Sequence, residues 1–294
     1  MSITDKLKEN RPCLSLNSLK TYTSILNSLH DKVYGDKDQL LTDYDDDTKI
    51  LNYLKDKPAN KKKTLLSALF VLTGKQSYRN EMMDQIQIYT NHLKTHEKTE
   101  LEETNWVTPK EITEIYNNLK TEANHIYKQK GEVPMEDIQK LQDLIIICLC
   151  SGLFIPPRRS LDFTLMRSKS PVDVDKDNYI AGNEFVFNTY KTSKYYNQQR
   201  VSIPKPLKTI ITKWIKINPT NYLLFDKNQN PLTSVKLNQR LNKIFDGAVS
   251  VNMLRKSYLT NKYADHHVRK AEMDDTATKM GTSAETIGLQ YIKK

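Results

Sequence analysis

Apolar residues recur at three- and four-residue intervals along most of this 294-residue chain, and one stretch breaks that period. In "SLNSLKTYTSILNSLHDKVYG", Leu16, Leu19, Tyr22, Ile25, Leu26 and Leu29 line one face of a helix that Gly35 ends. "DTKILNYLKDK", "KKKTLLSALFVLTGK" and "RNEMMDQIQIYTNHLKTHEK" repeat the pattern, with Pro58 and Gly74 as breaks. This predicts a bundle of about four helices from residue 14 to residue 97. "THEKTELEETNW" then turns acidic and loses the period, as a linker does. Thr108, Pro109 and Glu111 form a helix start of the capping-box type. The exception follows Pro156: "NYIAGNEFVFNTYKTSKYYNQQRVSIP" alternates β-branched and aromatic residues around a polar centre. It predicts a small antiparallel sheet with a hairpin near Thr192 to Gln198. Helices resume in "PLKTIITKWIKI", "SVKLNQRLNKIFDG" and "VNMLRKSYLTNKYADHH". The expected fold is mainly α with a small antiparallel β-sheet. Its plan is a helical domain over 1–97, a linker over 98–107 and an α+β domain over 108–294.

Charge narrows the partner. Lysine and arginine number 45 against 35 acidic residues, a net charge of +10, which favours a polyanion. Between Glu184 and Asp226 no acidic residue occurs, while Lys191, Lys194, Arg200, Lys205, Lys208, Lys213 and Lys216 do. Tyr190, Tyr195, Tyr196 and Trp214 interleave with them, a composition suited to a phosphate backbone and equally to a solvated lysine face. The three cysteines cannot all pair, and Cys148 and Cys150 sit within "LIIICLCSGLF", as reduced thiols of an intracellular core do. That run is too short to span a bilayer, and the polar start excludes a secretory signal. The expectation is a soluble, intracellular, non-secreted protein. Asp43, Asp45 and Asp47 begin like a calcium loop, but Thr48 and Leu54 stand where glycine and glutamate are needed, so a solvated acidic loop is expected. Adjacent His266 and His267 face different sides of a helix and lack a ligand at helical spacing. No glycine-rich phosphate loop occurs. The chain is therefore expected to hold no metal and no cofactor.

The cations offer more chemistry. "PPRRSLDF" holds Arg158 and Arg159 just after an apolar helix, and "VNMLRKSYL" sets Arg255 among apolar neighbours. An arginine facing a core needs an anion, either Asp162 or another carboxylate, or a ligand. Arginine, lysine, arginine and tyrosine follow in that order. Such a set can break a phosphodiester: tyrosine attacks, two guanidiniums fork onto the phosphate oxygens, and lysine protonates the leaving oxygen.

These segments resemble the tyrosine recombinase (phage-integrase) family, which is related to type IB topoisomerases. "SGLFIPPRRSLDF" resembles the first arginine box and selects Arg159 with Asp162. "NTYKTSKYYNQQRVSIP" resembles the hairpin with its catalytic Lys-Thr and selects Lys191. "NMLRKSYLT" resembles the His-x-Leu-Arg box and selects Arg255. "MGTSAETIGLQY" resembles the Leu-Gly-His-Ser box, with Tyr291 nine positions after Thr282 as nucleophile. The resemblance spans most of residues 107–294, and the first bundle more loosely resembles a core-binding (SAM-like) domain.

What the resemblance implies is a site-specific recombinase or integrase of a mobile element or large DNA virus. It would cleave and rejoin duplex DNA through a 3′-phosphotyrosyl bond, without metal or ATP, and could act as a dimer or tetramer on DNA. The expected catalytic residues are Tyr291, Arg159, Arg255, Lys191, Asn252 and Thr282, with Lys194, Arg200, Lys205 and Lys208 gripping DNA. Two positions depart from the family. Asn252 and Thr282 replace its two histidines; both can hydrogen-bond a phosphate, but neither is a base near pH 7. A DNA-binding relic that no longer cuts therefore stays open as an alternative, and a topoisomerase-like relaxase acting as a monomer is a second one. A metal-dependent nuclease is disfavoured, because no spaced carboxylate set joins the basic stretch.

Overall fold

The computed structural model describes residues 2–35, 38–95, 97–263 and 270–292; His266 and His267 lie outside them. The chain divides into two compact units, Met1–Thr95 and His96–Lys294.

The first unit is helical. α2 (Leu16–Tyr34), α3 (Asp47–Leu54), α4 (Ala59–Thr73) and α5 (Gln76–Lys94) follow the apolar period. Gly74 at φ 72° makes the left-handed turn between α4 and α5. A helix that the sequence pattern did not suggest precedes them: α1 (Ile3–Asn10), capped by Ser2 accepting from the Asp5 amide at 3.2 Å. Eight residues are too few for a stable isolated helix. Burial of Ile3 and Leu7, about 2 kcal/mol each, holds it in place. Tyr44 and Tyr78 place their hydroxyls inside, donating to the Leu26 carbonyl at 3.1 Å and the Tyr44 carbonyl at 2.8 Å. The aspartates of 43–47 serve local structure: Asp43 meets His30 at 2.9 Å, and Asp46 caps α3 through the Lys49 amide at 3.0 Å.

The second unit is built around α8 (Met135–Cys150), whose residues 144–150 are all buried. α7 (Pro109–Ile126) packs on it, started by the Thr108–Glu111 box that the sequence predicts. Buried Gln142 accepts from the Phe225 amide at 2.8 Å and donates to its carbonyl at 2.9 Å, so its polar atoms are satisfied. Among the described residues the strands form one antiparallel sheet in the order β1 (Tyr179–Ala181), β2 (Glu184–Phe187), β3 (Gln199–Ser202). Phe185 and Phe187 each meet Phe163 edge-on at 5.6 Å, which fixes the sheet on α9 (Ser160–Thr164). α11 (Lys205–Ile217), α12 (Ser234–Phe245), α13 (Val251–Lys262) and α14 (Lys270–Met280) complete the unit. No helix among the described residues is long and apolar enough to cross a membrane.

One local expectation changes. The segment 98–107 is structured: α6 (Glu100–Thr104) starts on a Thr99–Glu102 capping box, and buried Glu102 pairs with Lys256 of α13. A carboxylate packed against the later helices cannot behave as a loose linker. The expected hairpin is formed by β2 and β3, and its connection contains a short helix, α10 (Ser193–Tyr196).

Burial pushes the Cys148 and Cys150 thiols up to about 12, whereas Cys13 is exposed. At pH 8 roughly one thiol in 10⁴ at either buried position is thiolate, the reactive form. Iodoacetamide under native conditions should modify Cys13 alone, and mass spectrometry after denaturation should find all three cysteines labelled. Native labelling of α8 at a comparable rate would mean that this helix opens readily.

Candidate active site

α13 begins where Ser250 accepts from the Met253 amide at 3.2 Å, and Ser257 anchors it by donating to the Val107 carbonyl. Its inward face carries Val251, Leu254 and Leu259, and with them Arg255, only 2% exposed. The Arg255 guanidinium carbon lies 4.6 Å from the centre of the Tyr291 ring. Its Nε and Nη2 have no hydrogen-bond partner among the described residues. Desolvation pushes Arg255 down to about 10, with Tyr291 acting in the opposite sense, so it remains a cation at neutral pH. Each unsatisfied buried donor costs about 1–3 kcal/mol, and an anion occupying that space would remove the penalty.

The two adjacent arginines part company. Arg158 donates through Nε to Asp162 at 2.7 Å, and both side chains are 1% exposed. The sequence frame pairs Asp162 with Arg159 instead. Arg159 is the extended N-cap of α9 and directs its Nη1 to the Gly281 carbonyl, whereas Arg158, just outside the helix, turns its Nε onto Asp162. Burial works against both charges of the pair, lowering Arg158 and raising Asp162, while each partner opposes the shift in the other. Arg159 and Arg255 also act on Asp162, favouring its charged form. Half-buried Arg159 donates through Nη1 to the Gly281 carbonyl.

That carbonyl belongs to the turn after α14. Gly281 takes φ +65°, a left-handed conformation that a side chain would strain. Thr192 also donates to the Gly281 carbonyl, at 3.1 Å, which brings the β2–β3 connection to the turn. Thr282 is buried, and its amide donates to the Ala277 carbonyl at 2.9 Å. The next helix start is capped by Ser283, which accepts from the Thr286 amide at 3.1 Å, so capping is not the task of Thr282. A single π-helical turn, Ile287–Tyr291, then carries Tyr291 to 6% exposure, and Thr260 of α13 holds the Tyr291 carbonyl at 3.1 Å.

Arg159, Arg255, Thr282 and Tyr291 thus gather around one turn and one helix face. Lys191 is exposed beside Thr192, and Asn252 is exposed one turn before Arg255. The expected DNA-gripping residues differ among themselves. Lys194 and Lys205 are exposed; Arg200 pairs with Glu184 at 3.1 Å, and Lys208 donates to the Gly182 carbonyl. Sequence reasoning did not assign Arg158, Thr192, Thr260 or Gly281. The four-residue step from Arg158 to Asp162 was a readable signal; the other contacts join distant segments and leave none.

No family model matches the sequence, and no curated protein matches it. Solved structures do. A lambda integrase dimer bound to a COC′ core site is 14% identical with TM-score 0.53, covering 98% of this chain and 75% of that one. A lambda integrase tetramer bound to a Holliday junction is 12% identical with TM-score 0.51, covering 99% and 76%. A lambda integrase fragment, residues 75–356, as a dimer on the same kind of site, is 13% identical with TM-score 0.51, covering 98% and 92%. The chain has the tyrosine recombinase fold.

The orphaned donors of Arg255 set up a stability test. Arg255→Met keeps most of the side-chain volume and removes an uncompensated buried charge, so it should melt at or above the wild-type temperature. Phosphate should raise the wild-type melting temperature more than chloride does at equal ionic strength, and this excess should vanish in Arg255→Met. Equal shifts in both proteins would show that these donors hold no anion.

Proposed function

We propose that this protein is a DNA strand transferase that breaks and rejoins duplex DNA through Tyr291, as a recombinase or integrase does. The observation that carries the reading is the desolvated Arg255 guanidinium over the Tyr291 ring, its Nε and Nη2 without a partner among the described residues, with Arg159 and Arg255 both acting on buried Asp162. In the first step the Tyr291 oxygen attacks a backbone phosphorus, and its proton passes to solvent water, since no side-chain base among the described residues stands beside it. The P–O5′ bond breaks, and the departing 5′ oxygen takes a proton from Lys191. Arg159 and Arg255 neutralise the non-bridging oxygens as charge builds on them. The phosphotyrosyl bond keeps the energy of the broken linkage, so a second 5′-hydroxyl can reverse the step. Thr282 would support the phosphate as a hydrogen-bond donor, and Asn252 as a donor from the helix start. The similar structures, lambda integrase dimers on a core site and a tetramer on a Holliday junction, favour DNA as partner and more than one copy on it. Exposed Lys194 and Lys205 suit the backbone grip best.

A second reading has its own support. Asn252 and Thr282 offer no base to take the Tyr291 proton, which fits a chain that holds DNA without cutting it. A nicked suicide duplex separates the two. Wild type should form a covalent adduct in the presence of EDTA, and Tyr291→Phe should form none while binding DNA nearly as well. Arg159→Ala and Arg255→Ala should each slow single-turnover cleavage by about 10²-fold or more. Lys191→Ala should be slow on a normal duplex and recover much of its rate with a 5′-thio leaving group, which needs no proton. Binding without any adduct would select the second reading.

The grip is tested by salt. Log affinity should fall linearly with log salt, by roughly 0.9 per phosphate contacted. Lys194→Ala and Lys205→Ala should each lower that slope. Arg200→Ala should change it less, because Glu184 already neutralises much of that charge. A salt-independent affinity would leave the basic stretch as a solvated face.

A further inference from the structure

We propose that Arg158 is a positioning residue: it clamps the 279–282 turn against α9 and the sheet, and thereby sets where Thr282 and Tyr291 stand. Its guanidinium joins four separate segments. Nε donates to Asp162 on α9 at 2.7 Å, and Nη1 donates to the Lys279 carbonyl at the end of α14. One face lies 4.0 Å from the Phe187 ring centre on β2 and 5.3 Å from that of Tyr190 in the following connection. Nη2 has no partner among the described residues and abuts Gly281, where an added Cβ would sit 3.1 Å away.

Only arginine does all of this at once. A planar fork reaches two acceptors on different segments while its face packs on an aromatic ring, whereas an ammonium is a single point of charge. The residue is 1% exposed; its Nε is taken by a carboxylate, its Nη1 by a carbonyl, and its Nη2 is covered by Gly281. That burial places its action on the turn rather than on a substrate. The turn has further holders: Arg159 and Thr192 both donate to the Gly281 carbonyl. Arg158 thus fixes the Lys279 side of the turn, and the other two fix the Gly281 side. Nine positions separate Thr282 from Tyr291, and the path between them is short helical turns, so a shift of the turn is passed on to the tyrosine.

Only the kinetic arm of the test rests on the reading of Tyr291 as the nucleophile. The full-length Arg158→Lys protein keeps a charge for Asp162 and loses the fork. Hydrogen exchange without DNA should then rise by about tenfold or more at the amides of 279–291, with α8 and the first unit unchanged. Single-turnover cleavage should fall by about 10²-fold, as for a small misplacement, at unchanged DNA affinity. Should Arg158→Lys not fold, Gly281→Ala probes the same contact from the other side, since its Cβ would press on Nη2. It should raise exchange over the same residues. Exchange that rises uniformly, or nowhere in 279–291, overturns the proposal. If the wild type forms no adduct, the proposed reaction fails, and the exchange result still decides the role of Arg158.

Discussion

The Asp162 carboxylate sits in the interior with Arg158 bonded to it and with Arg159 and Arg255 close enough to act on it. A buried anion is costly without cations, and buried cations are costly without an anion. Asp162 and Arg158 are therefore each tolerable only while the other holds its place, and Arg159 and Arg255 act on the carboxylate from further away. That condition links α9, the turn after α14 and α13, which supply these groups and their carbonyl partners, and Thr192 ties the β2–β3 connection to the same turn. Three cations to one carboxylate leave the group positively biased, and the unmet donors of Arg255 lie on the Tyr291 side of it.

This arrangement explains why one glycine and two backbone carbonyls stand among the site's arginines. Guanidinium donors that find no second carboxylate turn to the carbonyls of Lys279 and Gly281. Only a residue without a side chain can bring the Gly281 backbone this near Arg158 at φ +65°. Gly152 meets a similar limit elsewhere in the unit, since a Cβ there would lie 2.3 Å from the Tyr258 ring of α13. Close backbone approach at this glycine lets the segment after α8 lie directly against the helix that carries Arg255. Stability and a positively biased site are in tension here, and the apolar mass of α8 and the three-phenylalanine contact with the sheet supply the difference.

The first unit faces no such tension. Its core is mainly apolar, and the hydroxyls of Tyr44 and Tyr78, the His30 ring and the Gln85 amide find partners at short range. Its fold follows from the apolar stripes of its helices, which is why the residue pattern predicted it well from α2 onward. The pattern missed α1, because two apolar residues in a polar stretch, Ile3 and Leu7, are too few to reveal a period. They become informative only when something covers them.

Periodicity by itself determined most of the longer helices of both units and the strand content near residues 178–204, because burial of one face at a regular repeat is a local property of the chain. The order and spacing of Arg159, Lys191, Arg255 and Tyr291 were also legible, since chemistry that needs these groups must write them as residues. Which arginine takes Asp162 was not decided by the motif frame: a three-residue and a four-residue step both reach the carboxylate in sequence. The start of α9 and the carbonyls of a turn some 120 positions later chose between them. Nor could composition reveal that 98–107 is packed rather than loose, because the partner of Glu102 is Lys256, far along the chain. Hydrogen-bond satisfaction across distant segments carries no periodic signature, so only tertiary structure could determine which polar groups are paired and which, as Nε and Nη2 of Arg255, have no partner among the described residues.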